Sequence, residues 1–204
     1  MAYEAYAFGP LLRRLLAEHD LDSNKAEVQF FCKDGYAPIQ TCAEVLAGGG
    51  GYLAFRDLRQ REGQVWPEGK EEEMSPFYLV WEQGAKVDKH LSWPFGLTEI
   101  ELRSHSESYQ RFFPTDQPEL GEAYELYRVN CQKCHALDGN GGSMAPDFHA
   151  PKNLTEYWQR ADIVAFAQAP QSYRRNSHMP PIKQLTEAQL HQVVDYLTYL
   201  AQKK

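Results

Sequence analysis

Apolar residues along this chain recur at helical spacing in some stretches and gather into short runs bounded by turn residues in others. In residues 8–19 (FGPLLRRLLAEH) the leucines at 11, 12, 15 and 16 share one face of a 3.6-residue period, which predicts an amphipathic helix. Residues 27–41 read instead as a strand, an Asp34-Gly35 turn and a second strand. Thr41 followed three residues later by Glu44 is a capping box that opens a short helix, and Gly48 to Gly51 ends it. Further strands are expected at 51–55, 76–81 and about 97–102, and the charged, glycine-rich tract 56–75 predicts an exposed loop. Mixed strands and short helices make this first part an α+β domain.

The second part is patterned for helices alone. Residues 121–130 predict a helix with Tyr124 and Tyr127 on one face, and Asp138-Gly-Asn-Gly-Gly142 interrupts the chain soon after. Thr186 and Gln189 form another capping box. The helix it opens runs through Leu190, Val193, Val194, Leu197 and Leu200 and closes on Lys203-Lys204, where cations suit its dipole. A length of 204 residues suits two domains of about 100 residues, and the change of pattern puts them at 1–116 and 117–204.

The net charge of −7 is confined to the first part: residues 1–117 carry 12 Lys and Arg against 19 Asp and Glu, and residues 118–204 carry nine of each. Neither part has the basic surface that phosphate binding requires, which argues against a nucleic-acid partner. An ordinary solvated acidic surface and steering of a basic partner both remain open. No run of 18 apolar residues is present, so no membrane span is expected. Met-Ala-Tyr-Glu-Ala-Tyr at the start lacks the charged and apolar regions of a signal peptide.

The chemistry concentrates in Cys131-Gln-Lys-Cys134-His135, because C-x-x-C-H is the spacing of c-type haem attachment. Two thiols three positions apart can each form a thioether to a haem vinyl group, and the next imidazole falls under the iron. Zinc would require a second ligand pair, and residues 118–204 hold no other cysteine. An electron-transfer haem needs a second strong axial ligand. Met179 lies 44 residues beyond His135 between residues that stiffen its loop, Ser-His-Met-Pro-Pro-Ile. Met144, His149 and His178 are the competing ligands. Arg174, Arg175, Asn176 and Trp158 are of the types that hydrogen-bond haem propionates or a ligand loop, with surface arginines and a packing tryptophan as the plain alternative. Cys32 and Cys42 could pair in an oxidising compartment or stay as free buried thiols. A two-residue hairpin at Asp34-Gly35 would not set them opposite each other. His19, His90 and His105 stand at no metal-ligand spacing and read as surface residues. Trp66, Trp81, Trp93 and Phe95 read as core, and no phosphate loop, nucleophile elbow or zinc signature occurs.

Gly121, Tyr124, the C-x-x-C-H run, the Met179-Pro180 loop and a final helix with Tyr196 resemble the class I c-type cytochromes over about residues 118–202. The resemblance implies that Gly121 and Tyr124 pack against the last helix near Tyr196. It also implies that the carbonyl of Pro146 accepts the second ring N–H of His135. The resemblance further implies that the haem is attached outside the bacterial cytoplasmic membrane. A periplasmic or extracytoplasmic protein is therefore expected, with a targeting or anchoring segment removed ahead of Met1.

The first part has a Gly-Pro-Leu-Leu helix, a Phe-x-Cys-x-Asp-Gly-Tyr hairpin, Gly-Tyr-Leu-Ala, Pro-Phe-Tyr-Leu-Val-Trp and a terminal Ile-Glu-Leu. In that order these resemble the later part of the molybdopterin-binding domain of the sulfite oxidase family, over about residues 8–103. That family's metal-ligating cysteine lies upstream of the Pro-Leu helix, where only seven residues stand here. Cys32 occupies a different position and does not transfer as a molybdenum ligand. The expectation is a degenerate, cofactor-free docking or scaffold domain. The whole chain then reads as a monohaem electron carrier with His135/Met179 ligation, not itself an enzyme, that accepts electrons from a periplasmic dehydrogenase or other redox partner protein. The alternatives are the haem subunit of a molybdenum-type oxidoreductase with a sulfite-like substrate, and a haem-based gas sensor.

Overall fold

The computed structural model describes residues 2–82, 91–104 and 110–203. An antiparallel sheet in the order β1-β4-β5-β6-β2-β3 organises the first half. Its strands are β1 (Tyr3–Ala7), β2 (Ala26–Cys32), β3 (Ile39–Thr41), β4 (Tyr52–Asp57), β5 (Phe77–Val80) and β6 (Phe95–Ser104). Helix α1 (Phe8–Glu18) lays Phe8, Leu12 and Leu16 onto Val28, Phe30, Leu79 and Leu97 of the sheet. Helix α2 (Cys42–Ala47) begins at the expected capping box, with the Glu44 amide donating to Thr41 Oγ1 at 3.2 Å and the Thr41 amide donating to Glu44 Oε2 at 2.9 Å.

The structure adds one strand and changes several expectations. Strand β1 has no β-branched residue to announce it, and exists because it pairs with β4 from Tyr3↔Asp57 to Ala7↔Tyr52. The β2–β3 connection is not a two-residue hairpin. Residues 33–38 form a longer loop, closed by the Cys32 amide donating to the Tyr36 carbonyl at 2.9 Å. Residues 56–75 are not a uniformly exposed loop: Trp66 is 1% exposed among Ala54, Val80 and Tyr3, and a short helix, α3 (Glu71–Met74), lies in the tract. Trp81 is core as expected, but Trp93 and Phe95 stand 44% and 36% exposed. Cys32 and Cys42 are free, buried thiols, and burial pushes each up to about 12. His19 is exposed at the end of α1, whereas His90 and His105 lie outside the described residues.

The second half is helical: α4 (Gly121–Asn130), α5 (Arg160–Gln168), α6 (Pro170–Tyr173) and α7 (Glu187–Gln202), with 3₁₀ turns at Pro118–Leu120 and Leu154–Glu156. All five apolar positions read for the last helix are buried. Helices α4 and α7 meet through tyrosines: the Tyr196 ring lies 5.7 Å from that of Tyr124 and 5.9 Å from that of Tyr127. Gly121 faces Phe113 rather than Tyr196, with its ring 3.3 Å from where a Cβ would stand. Tyr196 donates its hydroxyl to the Phe112 carbonyl at 2.9 Å. Lys203 and Tyr199 both bond Asp116 and fasten the end of α7.

The two halves touch through polar groups. Glu27, 1% exposed on β2, accepts from Arg128 of α4 at 3.1 Å, and Arg128 also pairs with Glu125 at 2.8 Å. Arg103 on β6 donates to Asn140 at 3.1 Å. Removing one member of a buried ion pair takes from the other charge the compensation that member supplied. Arg128→Ala is therefore expected to lower stability by about 3 kcal/mol in urea unfolding; an unchanged midpoint would show that the contact contributes nothing. Asp57, which accepts both from Arg59 side-chain nitrogens and from the Arg59 amide, is held down to about 2 by those bonds. A carboxylate depressed in the folded state stabilises it above the unfolded value of about 4, and that gain disappears as pH falls toward 2. Asp57→Asn is expected to flatten this acid limb of the stability profile, read by thermal melts across that range.

Candidate functional site

Helix α4 delivers the chain to the cysteine turn. The Cys131 amide donates to the Tyr127 carbonyl at 2.8 Å, and the Cys134 and His135 amides donate to the Cys131 carbonyl at 3.0 and 2.9 Å. The motif therefore continues as a tight turn, with both thiols free. Gly142 follows where a side chain is impossible, since a Cβ would stand 2.1 Å from the Lys133 carbonyl oxygen.

His135 is fixed from two sides. Its Nδ1 lies 2.8 Å from the Pro146 carbonyl, which can only accept, so Nδ1 carries the proton and Nε2 is the nitrogen with a free lone pair. Its own carbonyl accepts from Tyr127 Oη at 2.7 Å. The Phe148 ring stacks on the imidazole at 4.1 Å. Burial pulls the imidazole below its usual value, against the opposing effects of the Pro146 bond and Asp147, and so favours the neutral ligand form. Burial also raises both motif thiols, Cys131 to about 12.

Asp147 escaped the sequence reading. Its carboxylate accepts the amides of Asp138, Gly139, His149 and Ala150 at 2.7 to 3.2 Å, tying the glycine loop to the segment that carries Pro146. The available signal was an acidic residue directly after Pro146, a residue type that folds backbone amides around itself.

Met179 is half-buried in a second apolar cluster with Val164, Ile182, Leu190 and Val194. Gln171 donates to the carbonyls of Ser177 at 3.1 Å and Met179 at 2.8 Å, holding the loop's course. Helix α7 joins this cluster to the one beside His135, contributing Leu190 and Val194 to one and Val193, Tyr196 and Leu197 to the other. The competing ligands sit otherwise. Met144 is 46% exposed, and His178 is exposed. His149 is buried with Nδ1 accepting from Asn153 at 3.0 Å, and Asn153 in turn donates to the Leu197 carbonyl at 2.9 Å. Arg174 lies over the rings of Trp158 and Phe166 at 5.4 and 5.6 Å, while Arg175 and Asn176 are exposed.

The donor set suits a covalently attached haem: two free thiols on one turn, beside a neutral imidazole whose outer nitrogen is already committed. Comparison with known families agrees on the region. The family model for cytochrome c oxidase, cbb3-type, subunit III matches residues 118–197. No curated protein matches the chain, and no solved structure does. The helical half is thus a c-type cytochrome region, which implies covalently bound haem c and supports a haem-based electron-transfer role; the comparisons show no sulfite oxidase relationship for the first half. Among the described residues no helix is long and apolar enough to cross a membrane.

Tyr127→Phe removes the donor to the buried His135 carbonyl. A loss of about 1–2 kcal/mol in urea unfolding is expected, and an unaltered midpoint would mean that this bond does not hold the turn.

Proposed function

We propose that this protein is an extracytoplasmic one-electron carrier holding one haem c, with thioethers at Cys131 and Cys134 and axial ligation by His135 and Met179. The observation that carries the reading is His135: an imidazole next to two free thiols, its Nδ1–H given to Pro146 and its Nε2 left to a metal. The bound haem would supply a one-electron ferrous/ferric couple. The residues of the chain supply rigidity around it. Pro146 and Phe148 keep the His135 ring from rotating, which would hold the ligand in place through a change of iron charge and keep reorganisation small. Gln171 and the flanking prolines restrain the Met179 loop, and the apolar neighbours of the sulfur keep water from replacing it. Arg174, Arg175 and Trp158 are assigned to the propionate side, with Arg174 steadied by its stacking on Trp158.

In this reading residues 1–116 form a docking or scaffold domain without a cofactor of its own, and 117–204 form the cytochrome domain. The acidic surface of the first part gives a redox partner, a dehydrogenase or an acceptor, a charged face to recognise. With His135 and Met179 both holding the haem iron, no position would be left for a substrate, and the chain would transfer electrons without catalysing bond chemistry.

Loaded protein is expected to titrate reversibly with one electron and to show the weak red charge-transfer band of a thioether–iron bond. That band is expected to vanish in Met179→Ala and to persist in Met144→Ala. Persistence in the first variant, or ready CO binding by the wild-type ferrous protein at neutral pH, would overturn the ligation and with it the carrier role.

A further inference from the structure

The loop between β2 and β3 is seated on the cysteine turn, with Ala37 and Pro38 buried and Lys33 and Asp34 exposed. The Ala37 amide donates to the Lys133 carbonyl at 2.9 Å, and the Ser143 amide donates to the Gly35 carbonyl at 2.8 Å. One loop thus grips the attachment segment on both sides of Cys134. The fit is close. Gly35 has φ +85°, and a Cβ there would stand 2.7 Å from the Met144 nitrogen and 2.7 Å from Ser143 Oγ. The grip is braced from behind by the buried Glu27–Arg128 pair and by Arg103–Asn140. At the tip, Asp34 Oδ1 accepts the Tyr36 amide at 2.9 Å, an Asx turn that fixes the carboxylate in place, and Tyr36 reaches back to Ser92 at 3.3 Å.

We propose that this loop is a built-in seat for the haem-attachment turn and that Asp34, held at its tip, is a positioning residue that lowers the haem reduction potential. The proposal rests on the reading of Cys131, Cys134 and His135 as a haem c site. Ferric haem carries one more positive charge than ferrous haem, so a carboxylate held on a loop that is hydrogen-bonded to Lys133 and Ser143, either side of Cys134, would stabilise the oxidised form. The seat matters because a charge on a free loop would be averaged and screened, whereas two backbone hydrogen bonds and a glycine contact hold this one at constant distance.

Asp34→Asn separates charge from structure, because the amide oxygen can still accept from Tyr36. Spectroelectrochemical titration of haem-loaded protein at low ionic strength is expected to show a higher potential in Asp34→Asn. The ferrous/ferric ratio at fixed applied potential should rise by a factor on the order of two, the size of one unit charge acting across a polar medium. The difference should fade at high salt. It should also shrink in a Gly35→Val background, where the seat is pushed open. A loaded Asp34→Asn protein with the wild-type potential at low salt, or a shift as large in the Gly35→Val background, would overturn the proposal while leaving the carrier role intact. Protein that acquires no covalent haem in a competent host would instead overturn the underlying site reading, and this proposal with it.

Discussion

The bond between His135 Nδ1 and the Pro146 carbonyl is the constraint on which the rest of the site depends. It decides which ring nitrogen is free, and so whether the motif presents a ligand at all. Much of the surrounding structure serves to keep that carbonyl where it is. Asp147 gathers four amides around the next residue, the glycines of residues 139–142 let the chain double back against Lys133, and Asn153 ties the following turn to α7. Tyr127 closes the arrangement from the helix that carries the cysteines.

The two apolar clusters follow the same logic. Helix α7 is amphipathic over its length, but its buried positions divide between the side of His135 and the side of Met179. One rigid element therefore sets the relation between the segment of His135 and the segment of Met179, the two proposed to carry the iron ligands. A cofactor that must keep both ligands through changes of charge benefits from such a common strut, because movement of one side without the other would require α7 to bend.

What could be read in the chain was what is encoded locally. The capping boxes at Thr41 and Thr186 and the apolar stripe of α7 depend on residues within a turn or two of one another, and each stands where its spacing put it; in α1 Leu12 and Leu16 are buried, Leu15 is half-buried and Leu11 is exposed, so the buried face is narrower than the leucines suggest. The C-x-x-C-H run is legible for the same reason: its meaning lies in covalent spacing. The misread features depend on partners far along the chain. Strand β1 is held by β4, the tract 56–75 folds back around Trp66 against Tyr3 and Val80, and the loop of residues 33–38 is shaped by the cysteine turn about a hundred residues later. An Asp-Gly pair reads as a tight hairpin in isolation; against Lys133 and Ser143 it becomes a docking loop. Asp147 falls between these cases, since a carboxylate among turn residues is a local signal whose four partners only the folded loop assembles.

The central claim is that a single haem is bound by sulfur to this turn. Protein matured in a host competent for haem attachment, extracted with acidified acetone and assayed in alkaline pyridine, tests it directly. One haem per chain retained by the polypeptide, with iron and no molybdenum by elemental analysis, is the expected result. A colourless protein, or a porphyrin that leaves with the solvent, would contradict it.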